Sequence, residues 1–390
     1  MLFRSHDVDE VFGTHSTRPV STRDLATTDV ATYQPPRAMR WIGMGVLLAA
    51  LLAFPLVFPN PAVTSIGVFT MIFLIAACAW NIFSGFSGYI SIGHAAFYGI
   101  GQYTVALLAL HYKIAAGWDT FALLPVAGLV AALAAVPVGY VLLRVRRHAF
   151  IILSVAVFFI LQLLAFNLTG LTSGSSGLTL PFPSWQGASF NDPFYYVGLA
   201  VALAAFGTAW WVRHSKYGLA LLAIRDDEDR ALGLGVHVTS TKLSAYVLSA
   251  LFVGVAGGLY VPFVGSVYPQ FAFDPTFDLA STVMVFVGGI GTLAGPVVGV
   301  LLLEPLQQYL ELQFGAQNLF LIIYAALFIV ILRLLPGGIV PGIADRWRRW
   351  MTARVARSTS GRDSPPPPAM EPHRAPASAA APATGLKDKP

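Results

Sequence analysis

The run Ala62-Val-Thr-Ser-Ile-Gly-Val-Phe-Thr-Met-Ile-Phe-Leu-Ile-Ala-Ala-Cys-Ala-Trp-Asn-Ile-Phe83 contains no charged side chain. A helix of about 20 largely apolar residues crosses a ~30 Å hydrocarbon layer, so this stretch predicts a membrane span. The same reading extends to 41–59 before it. After it come 91–111, 121–143, 149–168, 194–212, 243–264, 276–290, 295–312 and 318–335. The stretch 276–290 is short and ends in glycines, which suits a re-entrant or broken helix as well as a full crossing. The fold class is an all-α polytopic membrane protein of about ten transmembrane or re-entrant helices.

Composition agrees. Of 390 residues, 56% are hydrophobic and 11% charged, against roughly 25% charged in a soluble domain. Basic and acidic residues balance over 1–40 and over 41–335, so the net charge of +5 resides in 336–390. Those basic residues form no patch on a polar domain, which argues against a nucleic-acid partner. Basic clusters (Arg37 and Arg40; Arg144, Arg146 and Arg147; Arg213 to Lys242; Arg346 to Arg349) all fall on one side of a ten-span chain. Loops 167–193 and 265–275 lack Lys and Arg. This asymmetry predicts cytoplasmic N- and C-termini. The chain reads as a leader at 1–40, a membrane domain at 41–335 with a cytoplasmic loop at 213–242, and a basic, then Pro/Ala-rich tail at 336–390. Leader and tail have the composition of disordered segments, and the polar leader predicts no cleavable signal peptide. Cys78, the single cysteine, reads as a small buried hydrophobe.

No catalytic apparatus is visible. The sequence lacks a G-x-x-x-x-G-K-[ST] phosphate loop, an H-E-x-x-H pair and a G-x-S-x-G elbow, so no cofactor, metal or enzymatic role is expected. Two segments carry unusual chemistry instead. In 81–103, Gly85, Gly88, Ser91, Gly93 and His94 lie at membrane depth. They suit a helix that is broken or closely packed, with its freed backbone groups satisfied by protein or by a water-filled path. His94 fits a functional group or a structural hydrogen bond equally. In the loop, Leu221, Ile224, Ala231 and Leu232 fall near one helical face, and Arg225 and Asp229 form an i, i+4 pair on another. A short amphipathic helix there, ended by Gly233 or Gly235, offers a rigid knob to a soluble partner or lies on the membrane surface. Gly289 and Gly291 repeat the glycine-rich pattern, Glu304 is a lone carboxyl within 295–312, and Asp274 and Asp278 read as interfacial.

These segments, in this order, resemble the LivM-type permease subunit of branched-chain amino acid ABC importers. The pattern G-x-x-G-x-x-S-x-G-H-A-A-F-x-G-I-G-x-Y is met by Gly85 through Tyr103. A-I-R-D-[DN]-E is met by Ala223, Ile224, Arg225, Asp226, Asp227 and Glu228, followed by Gly235, Val236 and Lys242. Ala256 to Tyr260 and Val287 to Gly299 complete the resemblance, which covers about 60–340. Gln102, Arg230 and Gly233 depart from it. The resemblance implies a homologous LivH-like permease, two separate ATPase subunits and an extracytoplasmic solute-binding protein as partners, in the inner membrane of a prokaryote. It makes Ala223 to Glu228, Ala231 and Gly235 the ATPase-coupling residues. The translocation path would involve Gly85, Gly88, Ser91, Gly93, His94, Gly289, Gly291 and Glu304. Substrates would be leucine, isoleucine and valine, or alternatively urea and short amides; a stand-alone secondary transporter or channel is the remaining reading.

Overall fold

The structure, a computed structural model, describes residues 37–114, 117–181, 185, 190–314 and, beyond these, 322–323, 325–326, 329–330, 333, 337–346 and 350. The expectations for 1–36, for the tail past 350 and for most of 318–335 lie outside the described residues. The chain divides into two units. Gln34–Trp347 holds the helical bundle; Met1–Tyr33 with Arg348–Pro390 forms the other, in which Trp350 is described as helical.

The described part of the bundle includes the helices α1 (Arg37–Val57), α2 (Pro61–Trp80), α3 (Ala95–His111), α4 (Leu124–Leu142), α5 (Arg147–Asn167), α6 (Asp192–His214), α7 (Lys216–Asp226), α8 (Glu228–Gly233), α9 (Val238–Val264), α10 (Pro275–Gly288) and α11 (Ala294–Phe314), with further helix at 339–346. Their starts are written in the sequence. Asn60 accepts a hydrogen bond from the Ala62 N–H at 3.0 Å, with Pro61 at the first helical position of α2, as helix entry favours. Ser215, Asp227 and Asp274 cap α7, α8 and α10 in the same way. Asn191 donates to the Pro61 carbonyl (2.7 Å) and to Thr64 Oγ1 (2.8 Å), tying the start of α6 to that of α2.

Among the described residues, six segments are long and apolar enough to cross a membrane: Pro61–Gly85, Trp118–Leu142, Arg147–Asn167, Asp192–His214, Val238–Val264 and Pro269–Gly288. The protein is thus a multi-pass, all-α membrane protein. Helices also form at 41–59, 91–111 and 295–312, but α1, α3 and α11 fall short of those six in length or apolar character. The span expected from 91 begins as helix only at Ala95. Burial sorts the helices. The most apolar segment, on α5, is 22% buried and leaves most of its apolar surface uncovered by the rest of the chain. The one on α9 is 72% buried and forms the axis of the bundle, packed along α4 and α3. Cys78 is buried as expected. Two-residue strands, β1 (Leu178–Thr179) and β2 (Ser266–Val267), pair antiparallel and join the loop after α5 to the end of α9.

Candidate functional site: a helical knob pinned to two broken helices

The glycine-rich stretch after α2 is a break. The chain passes from α2 through a π-helical turn, Asn81–Gly85, into irregular backbone that lasts until α3. Gly88 sits at φ +73°, a conformation that glycine adopts without steric cost. Irregular backbone at membrane depth must find partners within the protein, and it does. Trp80 Nε1 donates to the Ser91 carbonyl (2.8 Å), and Ser84 Oγ and Ser154 Oγ accept from the Ser91 and Ile92 amides. Asp278 Oδ2 accepts from the Ala95 amide at 3.1 Å, at the start of α3. Asp278 is therefore not the interfacial residue its sequence position suggested. It is buried, and an unpaired helix terminus in the bundle interior explains why a carboxylate is there. His94 is buried too, with Nε2 2.8 Å from Ser249 Oγ; Gly93 lies against the backbone of Ser154, where a Cβ would stand 2.6 Å from the carbonyl oxygen.

The second glycine-rich element forms a matching break between α10 and α11, with Gly289 and Gly291 both at positive φ. The two breaks touch. Asn81 donates from Nδ2 to the Thr292 carbonyl and accepts from the Gly291 amide with Oδ1, each at 2.9 Å.

The knob between α6 and α9 is two helices, α7 and α8, bent at Asp227, whose backbone is extended. This bend overturns two expectations. Arg225 and Asp229 do not pair, because the helix restarts between them. Leu232 is 61% exposed, while Leu221, Ile224 and Ala231 are buried as expected. The restarted helix turns Leu232 outward beside Leu234. Asp229 instead meets Arg146 in a two-pronged exposed ion pair, at 2.8 and 3.2 Å. Ala223 packs partly buried against the core, Asp226 is exposed, and Gly235, at φ +85°, turns the exposed chain toward α9.

Two side chains pin the knob to the breaks. Arg225 Nη1 donates to the Gly85 carbonyl at 2.8 Å, and its stem lies against Gly88. A Cβ on Gly291 would run into the same guanidinium. Arg225 thus sits where both breaks and the knob converge, and its own carbonyl accepts from Arg147 at 2.9 Å. Glu228 accepts from Lys242 Nζ (2.8 Å) and from the Tyr89 hydroxyl. Lys242 in turn donates to Tyr89 Oη at 3.1 Å and lies 4.2 Å from the centre of its ring. Burial pushes the Glu228 carboxyl up, but the hydrogen bonds from Lys242 and Tyr89 and the ammonium charge outweigh it, holding the group below its ordinary value of 4.5.

The sequence singled out Arg225, Glu228, Gly85, Gly88 and Gly291, and the structure gathers them. Tyr89 and Asn81 were missed as partners, although an amide and a phenol bracketing a glycine-rich break are the groups such a break needs. Lys242 was read as part of a motif and as one of the bases balancing the four-acid run, but its pairing with Glu228 was not singled out; a lone ammonium on an otherwise apolar helix, shortly after those acids, signalled it. Glu304, on α11, is fully buried and accepts from Gln308 at 3.0 Å, away from the knob. Among the described residues no group of three or more His, Cys, Asp or Glu could hold a metal ion.

The Arg146–Asp229 pair is solvated on both sides, and such pairs contribute little. Arg146→Ala is expected to leave the melting temperature and the knob's protease resistance close to wild type. A marked loss of either would show that the pair holds α8 in place.

Residues 62–332 match the family described as "Branched-chain amino acid transport system / permease component". The high-affinity branched-chain amino acid transport system permease protein LivM of Salmonella typhimurium is 31% identical over 285 residues, 66% of this chain and 65% of that protein. LivM of Escherichia coli is 30% identical over 66% of each chain. The match to these two relatives thus spans slightly less than two thirds of their length. The permease protein LivH of Escherichia coli is 26% identical over 69% of this chain and 91% of its own. No solved structure matches.

Proposed function

Because the chain belongs to the branched-chain amino acid transport permease family, we propose that it is a membrane-spanning subunit of an ATP-driven importer of branched-chain amino acids. It works without catalytic residues of its own. In this reading its termini are cytoplasmic, it pairs with a LivH-like permease in the inner membrane of a prokaryote, two ATPase subunits drive it, and an extracytoplasmic binding protein delivers solute.

One observation carries the proposal. A polar, bent knob outside the apolar spans is joined to both glycine-rich breaks through Arg225 and Glu228. A soluble motor that displaces the knob moves, through the Arg225–Gly85 bond, the segments whose packing is least constrained by regular helix. Leu219, Leu232 and Leu234 stand 61%, 61% and 83% exposed on that knob and offer it an apolar contact surface. Two alternative packings of the breaks provide two access states; ATP-driven pressure on the knob selects between them.

Proteoliposomes holding the full complex are expected to accumulate leucine only with ATP and the ATPase subunits present. Uptake driven by an ion gradient with those subunits omitted overturns the proposal in favour of a secondary transporter; accumulation of urea but not leucine overturns the substrate.

A further inference from the structure

At the end of α10 away from the knob lies a cavity of about 300 Å³. The helix that separates the two ends, Pro275–Gly288, spans about 21 Å. The knob's contacts are near its C-terminal side, at Gly291, and the cavity opens beside its N-terminal cap, Asp274. None of the eight residues the sequence assigned to the path lines it.

Five rings from α2, α3, α9 and α10 form its apolar wall as an unbroken chain. Phe69 packs on Tyr260, Tyr260 on Tyr98, Tyr98 on Phe277 and Phe277 on Phe73, with centroid separations of 6.2, 5.8, 3.9 and 5.0 Å. Among the described residues the lining includes the carboxylates of Asp274 and Glu311 and the amides of Gln307 and Gln308, and no Lys, Arg or His. Gln307 Oε1 is buried and has no hydrogen-bond partner among the described residues. Gln308 donates to the buried Glu304. Aromatic faces and uncompensated carboxylates both attract a cation, and the volume is at the low end of small-molecule sites. A second cavity, between α1 and α6, is almost wholly apolar and has no such selectivity.

The geometry points to this cavity as a solute site that reads the ammonium end of an amino acid, with the aliphatic side chain laid against the ring wall. The inference rests on the importer reading and adds where and by which group the solute is recognised. Asp274 and Glu311 face the ammonium, and Gln307 accepts a further N–H. The solute carboxylate meets no fixed cation, so the site tolerates its loss. A branched alkylamine binds; the corresponding carboxylic acid, which brings only negative charge, does not.

The test uses the full chain in lipid nanodiscs without nucleotide. Saturation transfer from protein to ligand methyl groups is measured for L-leucine, 3-methylbutylamine and 4-methylpentanoate. Leucine and the amine are expected to receive saturation and the acid not. In Asp274→Asn/Glu311→Gln, where asparagine still caps α10, half-saturation by leucine and the amine shifts about tenfold upward, the loss expected for charge-assisted contacts. Equal binding of all three ligands, or unchanged leucine binding in the double variant, overturns the inference. Because no ATPase takes part, this failure is distinct from that of the ATP-driven importer reading, which the uptake experiment above tests.

Discussion

Glu228→Gln is expected to lower the stability of the protein by about 3 kcal/mol and to reduce ATP-driven uptake in the complete complex far more than it reduces leucine binding. The reason lies in Lys242, which is 2% exposed and whose counter-charge is Glu228 Oε1 at 2.8 Å. Glutamine keeps one oxygen, which can still accept from Lys242, but its NH2 group replaces the oxygen that accepts from Tyr89, and the ammonium is left buried without a compensating charge. Breaking a buried pair from one side costs about 3–5 kcal/mol, and the lower end applies here because Glu228 is partly exposed. Replacing both partners, as Glu228→Gln/Lys242→Met, is expected to restore most of the melting temperature, since an apolar substitute for a buried pair is often neutral. It does not restore coupling, because the link between α8 and Tyr89 through charge is gone. A single variant as stable as wild type sinks the argument. The pH dependence has a definite sign. The Glu228 carboxyl lies below its ordinary value in the folded protein, so its contribution is present above the ordinary carboxylate range and is lost as pH falls through the folded value. Protease protection of the knob should therefore persist through pH 4.5 and fall only at lower pH, and the Glu228→Gln variant should lack that acid-dependent step.

What the sequence made legible was local. Residues 62–83 read as a span because continuous apolar character has one explanation in a chain with so few charges, and α2 and its π-helical extension occupy it. Glycines at 85, 88, 93, 289 and 291 suited broken or closely packed helices alike, and the backbone is irregular near each cluster. The bend at Asp227 escaped because Asp after Asp can continue a helix or cap a new one; the choice was made by Arg225 reaching Gly85, 140 residues away. The Asn81 bridge to Thr292 spans 211 residues, and no periodicity within either segment encodes it. Asp278 was misplaced for the same reason: its partner is the start of α3, 183 residues earlier. The ring wall of the cavity draws on four helices, so each aromatic, taken alone on its helix, looked like core or an interfacial anchor.

Gly257→Ala is expected to destabilise the bundle strongly where Gly207→Ala stabilises it slightly, and the contrast isolates close helix packing from helix propensity. Both glycines lie inside helices, where alanine is intrinsically better by roughly 0.5–1 kcal/mol. Around Gly207 on α6 nothing lies within 4 Å of a Cβ, so that gain should be realised. At Gly257 on α9 the new methyl would run into the Tyr98 carbonyl of α3, and a Cβ on Gly101 of α3 would meet the Gly254 carbonyl of α9. Small residues at such crossings let backbones approach in a membrane, where lipid offers no hydrophobic drive to hold helices together. A carbonyl cannot rotate away as a side chain can, so the two helices must part, at a cost at or above the ~1–3 kcal/mol usual for overpacking. The separation has a functional reading as well. Tyr98 and Tyr260, 5.8 Å apart across this crossing, are neighbouring panels of the cavity wall. Moving α3 off α9 opens the wall between them, and leucine binding should weaken together with the melting temperature. If Gly257→Ala melts with Gly207→Ala, above wild type, the α3–α9 crossing is looser than the structure has it. The cavity wall would then lose the rigid seam on which recognition by those rings depends.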